Sequence, residues 1–199
     1  MIKHYFPHFL AFVFVVFFLA LGIAPVSREV WIAEVTPIVI VFLILVLSYK
    51  RFRFSNVAYA LLCVWMFWHT IGGHYTFANV PFNWISEALG SERNHFDRIG
   101  HFVIGFYAFG MAEWLLRKKY CNLKLALFFS LFFIMSVAAG YEIIEWWYAA
   151  AEGGEAGMEF LGSQGDIWDA QKDMLADTLG AISSLILFCF IRPDKKSDL

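Results

Sequence analysis

Apolar residues in this chain gather into long unbroken runs, and the polar positions fall almost entirely between them. Six runs stand out, at residues 7–24, 31–49, 57–72, 99–116, 123–147 and 174–191. A hydrocarbon core about 30 Å thick takes roughly 20 helical residues to cross, and it offers no water to an unpaired backbone group, so such runs must be helices. The pattern predicts an all-α membrane protein, a bundle of six transmembrane helices forming a single transmembrane domain over residues 1–199. The first run is long for the apolar part of a signal peptide, and Pro25 follows the small residues where cleavage would fall, so it reads as a retained helix.

The polar segments orient the bundle. Lys3, Lys50, Arg51, Arg53, Arg117, Lys118, Lys119, Lys124, Arg192, Lys195 and Lys196 fall on one side of alternating spans, eleven of the fifteen basic residues. Arg28, Arg93, Arg98 and Lys172 fall on the other. Cytoplasmic loops hold the basic excess, so both termini are expected in the cytoplasm. Two outer connections are long. Residues 73–97 carry Phe82, Trp84, Ile85, Ala88 and Leu89 in a pattern suited to a short interfacial helix. Residues 148–172 mix Gly153, Gly154, Gly157, Gly162 and Gly165 with Glu152, Glu155, Glu159, Asp166 and Asp169, and read as a mobile acidic flap.

Composition agrees with the membrane class: 60% of residues are hydrophobic and 20% aromatic. A net charge of -2 gives no basic field for nucleic acid. Cys63, Cys121 and Cys189 form no CxxC and no disulfide framework.

In this topology His69, His74, His95, Asp97, Arg98, His101, Glu142, Glu145, Asp166, Asp169, Asp173 and Asp177 all map to the outer half, while the inner half holds only basic loops. Ionisable groups in membrane spans are costly and tend to mark sites or proton paths. Gly72-Gly73 could break the third helix and fold His74 back towards His69; equally, both are interfacial histidines on a glycine-terminated helix. Asp97 and His101 share a helical face, which Gly105, Ala108 and Ala112 continue as a surface for close packing; Asp97 alone is explained as a helix cap. Glu142 and Glu145 sit three apart before an aromatic belt of Trp146, Trp147 and Tyr148. Asp169, Asp173 and Asp177 recur every fourth residue; the helix macrodipole accounts for the first but not for the deeper Asp177.

Imidazole and carboxylates converging from several helices suit a divalent metal such as Zn, Mn or Fe, with Asp97, His101, Glu142, Glu145, Asp173 and Asp177 as candidate ligands. His101, Glu142 and Asp177 are the candidate catalytic groups, and Arg98, His69 and His74 the candidates for holding a substrate headgroup. There is no HExxH and no doubled ExxH of the di-iron bundles.

Asp97-Arg98-x-x-His101-Phe102, Tyr141-Glu142-x-x-Glu145 and Asp173-x-x-x-Asp177-x-x-Gly180 together resemble the YjdF-like bacterial inner membrane proteins, themselves similar to the VanZ-like family associated with glycopeptide resistance. The motifs lie in the second half of the chain, and the hydropathy profile of the whole is similar to the YjdF-like family. VanZ-like proteins typically carry Lys or Arg before the His, Gln at the position of Glu145 and Asn at that of Asp177, so the last two positions make this chain more acidic. The resemblance implies a bacterial inner membrane location and supports the choice of residues; it supplies no reaction. Three functions are open: a metal-dependent hydrolase or lipid-modifying enzyme acting on a lipid or cell-envelope substrate at the outer face; a structural or accessory protein whose polar network satisfies itself; and a cation- or proton-coupled binding or transport protein.

Overall fold

The computed structural model describes residues 2–195. Lys196 and the side chains of Lys3, Leu89, Glu155 and Glu159 lie outside the described residues. Among the described residues the chain is wholly helical: α1 (Ile2–Leu21), α2 (Arg28–Ser48), α3 (Asn56–Tyr75), α4 (Asn83–Leu89), α5 (Phe96–Ile104), α6 (Tyr107–Arg117), α7 (Leu123–Glu152), α8 (Gly154–Leu161) and α9 (Asp169–Ile191), with 3-10 turns at Phe77–Asn79 and Pro193–Lys195. Four stretches are long and apolar enough to cross a membrane, namely Arg28–Ser48, Phe96–Arg117, Leu123–Glu152 and Asp169–Lys195, and Tyr5–Leu21 is a shorter apolar helix.

Local chemistry sets where helices begin. The side chains of Ser27, Ser55 and Asn122 accept hydrogen bonds from the backbone N–H groups of Val30, Ala58 and Leu125 at 3.3, 3.2 and 3.0 Å, satisfying donors that a helix start leaves open. Packing follows residue size. Ala58, Ala108, Ala112 and Ala181 are fully buried around Phe109 and Phe188, while Phe14, Trp31, Ile38, Trp65 and Met66 form a second core. The outer surface is apolar too, with Leu47 73% and Phe190 83% exposed, a surface suited to hydrocarbon rather than water.

The decisive packing is that of α5 on α9. A Cβ on Gly105 would run into the backbone of Asp177, Gly180 and Ala181, and one on Gly180 into the carbonyl of Phe102. Two glycines therefore let the helix backbones touch. At this point α5 ends and α6 begins; the Gly105 carbonyl accepts from Ala108 N–H at 3.1 Å and from the Ser184 hydroxyl at 3.2 Å, which ties the interruption to α9.

Several expectations are corrected. Gly72-Gly73 does not break α3, which continues to Tyr75; those glycines instead admit the Phe77 ring and the Glu34 and Trp31 side chains. The last helix starts at Asp169, so the carboxylate ladder is helical throughout. The acidic connection is largely helical: α7 runs on to Glu152, and α8 packs on it with Phe160 buried against the Tyr148 ring, centroids 4.3 Å apart. The basic end of the bundle is not purely basic. Glu113 is fully buried there, accepting from the Ser55 N–H (2.8 Å) and hydroxyl (2.7 Å) and pairing with Arg117 at 2.7 Å. The expected short helix near Trp84 is present as α4.

Gly180→Ala is expected to destabilise the fold by about 1–3 kcal/mol through overpacking. Gly140→Ala, where a Cβ meets nothing within 4 Å, should be neutral or stabilising by up to about 1 kcal/mol. Thermal unfolding of the two detergent-purified variants checks the contrast.

Candidate functional site

The α5–α9 contact carries the chemistry. Asp97 and His101 stand one turn apart on α5, and Asp169, Asp173 and Asp177 stand at successive turns on the buried face of α9. Because the helices touch at Gly105 and Gly180, these rows face each other at the end of the bundle remote from the Lys/Arg-rich connections. Arg98 Nη2 reaches Asp169 Oδ1 at 2.6 Å and Arg98 Nε reaches Asp173 Oδ1 at 2.8 Å. Arg93 Nη2, from the connection before α5, meets the same Asp169 oxygen at 2.6 Å and lies 3.7 Å from Asp97 Oδ2. Arg93 also donates to the Ser163 carbonyl at 2.7 Å, and Asn94 and Gln164 bond reciprocally at 2.8 and 3.0 Å. The two long connections, before α5 and before α9, are thereby tied together over the site.

His101 occupies the centre. Its Nδ1 lies 3.1 Å from Asp177 Oδ2, while Nε2 faces Asp97 Oδ1 at 3.7 Å and Asp173 Oδ1 at 4.0 Å. The first distance is a hydrogen bond; the other two are too long for one. Asp97, His101 and Asp173 turn one ligand atom each to within 4.8 Å of one another. Two ligand bonds of about 2.0–2.2 Å through a shared ion span at most roughly 4.4 Å, which covers the 3.7 and 4.0 Å separations at His101 Nε2, and a carboxylate behind the ligating histidine is a recurrent metal-site arrangement.

A second polar group faces this one. Glu34 of α2 is buried, its Oε2 lying 3.0 Å from His69 Nε2 and accepting from the Tyr141 hydroxyl at 3.2 Å. The approach of His69 Nε2 to Glu34 does not have hydrogen-bond geometry. Between the two groups lies a cavity of about 270 Å³, lined at one end by Glu34, His69, Asp97, His101, Glu145 and Asp177. Its remaining wall is apolar, and Phe160, Leu161 and Gly162 close it on the α8 side. The volume is just under the range of about 300–1,000 Å³ usual for small-molecule pockets.

The candidate residues thus separate. Asp97, His101, Asp173 and Asp177 converge, with Arg98 locked into Asp169 and Asp173. Glu145 lines the cavity, whereas Glu142 does not, although its Oε1 is buried without a hydrogen-bond partner. His69 joins through Glu34. His74 is elsewhere: its Nδ1 meets the Leu21 carbonyl at 2.6 Å and its own carbonyl accepts from Val26 N–H at 2.9 Å, fastening α3 to the end of α1. Glu34 was not singled out from the sequence, although a lone carboxylate in the apolar run 31–49 is the required signal. In the sequence Arg93 reads only as a loop charge, and Asp169 as the rung of the acidic ladder that the helix macrodipole accounts for; Asp97, read alone as a cap, caps nothing, since α5 has no side-chain cap hydrogen bond.

Charge is unbalanced here. Glu34, Asp97, Glu142, Glu145, Asp166, Asp169, Asp173 and Asp177 face Arg93, Arg98 and Lys172, so carboxylates exceed permanent cations. Burial, with Arg93 and Arg98 beside it, holds His95 below the usual histidine range, so it adds no positive charge near pH 7. Protons or a bound cation must neutralise the remainder.

Asp169→Asn, which weakens the acceptor shared by both guanidinium groups, should lower stability by about 1–3 kcal/mol in thermal unfolding. Asp166→Asn should lower the midpoint slightly, and by the same amount at every pH between 5 and 8. The Lys172 ammonium, 2.7 Å away, holds Asp166 below the usual carboxylate range. Its contribution is therefore complete above the unfolded-state value of about 3.9 and is lost only as pH falls through the lower folded value.

Comparison with known proteins places the chain. It is 37% identical over 168 residues to the inner membrane protein YjdF of Escherichia coli (strain K12), covering 83% of this chain and 80% of that protein. No solved structure matches it. The profile of the family described as "Predicted membrane protein (DUF2238)" matches residues 6–194, and with nearly its whole length so matched, the chain belongs to that family, bearing out the YjdF-like resemblance of its motifs.

Proposed function

We propose that this protein is a multi-pass protein of the bacterial inner membrane, with six spans and both termini cytoplasmic, whose acidic outer end binds a divalent cation and acts on a lipid or cell-envelope substrate. The location follows the inner membrane relative and the apolar helices; the orientation follows the basic residues gathered at the opposite end. α1 and α3 supply the two further spans, at 20 residues each, about 30 Å of helix. The observation that carries the enzymatic reading is the His101 environment: Asp177 behind the ring, Asp97 and Asp173 before it, beside an apolar cavity.

In this reading Asp97, His101 and Asp173 hold the cation, and Asp177 fixes the His101 tautomer as a positioning residue. Glu145, facing the cavity, is better situated than Glu142 for general acid or base work. A bound Zn or Mn supplies an activated water and polarises an ester or phosphoester of the substrate. Arg98 has its fork engaged by Asp169 and Asp173, so it orients Asp173 instead of clamping a headgroup. The competing reading, a self-satisfied structural network, is favoured by that same pairing, since Asp173 Oδ1 already has a guanidinium 2.8 Å away.

Elemental analysis of detergent-purified protein separates the two. The enzymatic reading expects about one equivalent of Zn, Mn or Fe per chain, lost in His101→Ala, with affinity reduced about 10–100-fold in Asp177→Asn. Metal-free wild type from a metal-replete preparation, with both variants changing only thermal stability, establishes the structural network instead. For topology, a C-terminal fluorescent-protein fusion should fluoresce and a C-terminal alkaline phosphatase fusion should be inactive; the reverse pattern overturns the orientation.

A further inference from the structure

The cavity has a shape and a charge that name its occupant. Pro37 and Val41 of α2 form one side, and Phe133, Ile134 and Val137 of α7 the other. α2 packs closely on α3 and α8, and α7 on α6, α8 and α9, but α2 and α7 share no close run of contacts. Across that gap the Tyr141 hydroxyl donates to Glu34. Val137, which lines the cavity, is 43% exposed and Phe133 beside it 39%, so the α7 side of the space is not sealed by packing. At the acidic end α8 bridges from α7 to α2 and roofs the space. Entry is thus covered towards the outer aqueous side and thinnest towards the bilayer.

An apolar space beside lipid suits a hydrocarbon chain, and about 270 Å³ accommodates part of one chain and not a whole two-chain lipid. The polar end is acidic. Arg93 and Arg98 do not line it, whereas Glu145 does, one turn beyond Tyr141 on the same face of α7 and with no ion-pair partner among the described residues. A headgroup that is anionic overall would be disfavoured there; one that carries an ammonium beside its phosphate would supply the missing positive charge.

We infer that the protein takes one acyl chain of an amine-bearing phospholipid sideways from the bilayer, between α2 and α7, and sets its ammonium group against Glu145. This deepens the proposed function and rests on its outer-face site, for which it names the substrate class. The Tyr141–Glu34 bond latches the polar end of the opening.

Native mass spectrometry of protein released from mixed micelles containing equal phosphatidylethanolamine and phosphatidylglycerol of matched chains is the test. Wild type should retain phosphatidylethanolamine about tenfold over phosphatidylglycerol. Val137→Trp, filling the cavity from its exposed wall, should lose that adduct, and Glu145→Gln should keep an adduct but lose the preference. If Val137→Trp fails to fold, the smaller Val137→Phe carries the same comparison. Equal retention of both lipids by wild type, or an undiminished adduct in a folded cavity-filling variant, overturns the inference. Cation content of the same samples reports on the metal site separately: lipid preference without bound metal leaves this inference standing and removes the enzymatic reading, and metal without lipid preference does the opposite.

Discussion

Where α5 crosses α9, Gly105 and Gly180 bring the helix backbones into contact, and the arrangement of charge at that end depends on that approach. A helix pair held at ordinary side-chain separation would leave His101 and Asp177 too far apart to bond, and Arg98 unable to reach Asp169 and Asp173 together. In lipid, where apolar burial between helices supplies little drive, such close backbone packing is itself a main source of association. The ion pairs then add direction, since an unpaired guanidinium or carboxylate there would be costly.

The two ends of the bundle manage charge differently. At the basic end one fully buried carboxylate, Glu113, is saturated by Ser55 and Arg117, and Arg117 also donates to the Arg53 carbonyl at 2.7 Å. That network is closed: each strong acceptor has its donor, and its role is to fasten α3 to α6. The acidic end is built with carboxylates to spare, an apolar cavity beside them and a histidine whose second nitrogen faces two oxygens beyond hydrogen-bonding reach. The difference between a saturated network and an unsaturated one is what distinguishes the structural anchor from the candidate site.

The long connections before α5 and before α9 are structural parts of that candidate site. Arg93, Asn94, Ser163 and Gln164 bind the segment before α5 to the segment before α9, and α8 lies over the cavity. A glycine-rich acidic stretch suggests mobility because glycine lowers the cost of disorder; here Gly157 instead permits close approach, a Cβ there meeting the Ala149 backbone at 2.9 Å.

What the sequence by itself determined is what one helix can specify: the apolar runs, and the one-turn spacings that put Asp97 with His101 and Asp169 with Asp173 and Asp177 on common faces. Spacing along a helix fixes a face, and hydropathy fixes a span, so these were legible without coordinates. Which face meets which is a property of helix crossing, and only the tertiary structure decided it. Hence Glu34, a single carboxylate in an apolar run, acquired its meaning from His69 and Tyr141 on other helices. For the same reason His74 left the candidate site for the end of α1, because α3 stays helical through two glycines that serve the packing of Phe77, Glu34 and Trp31.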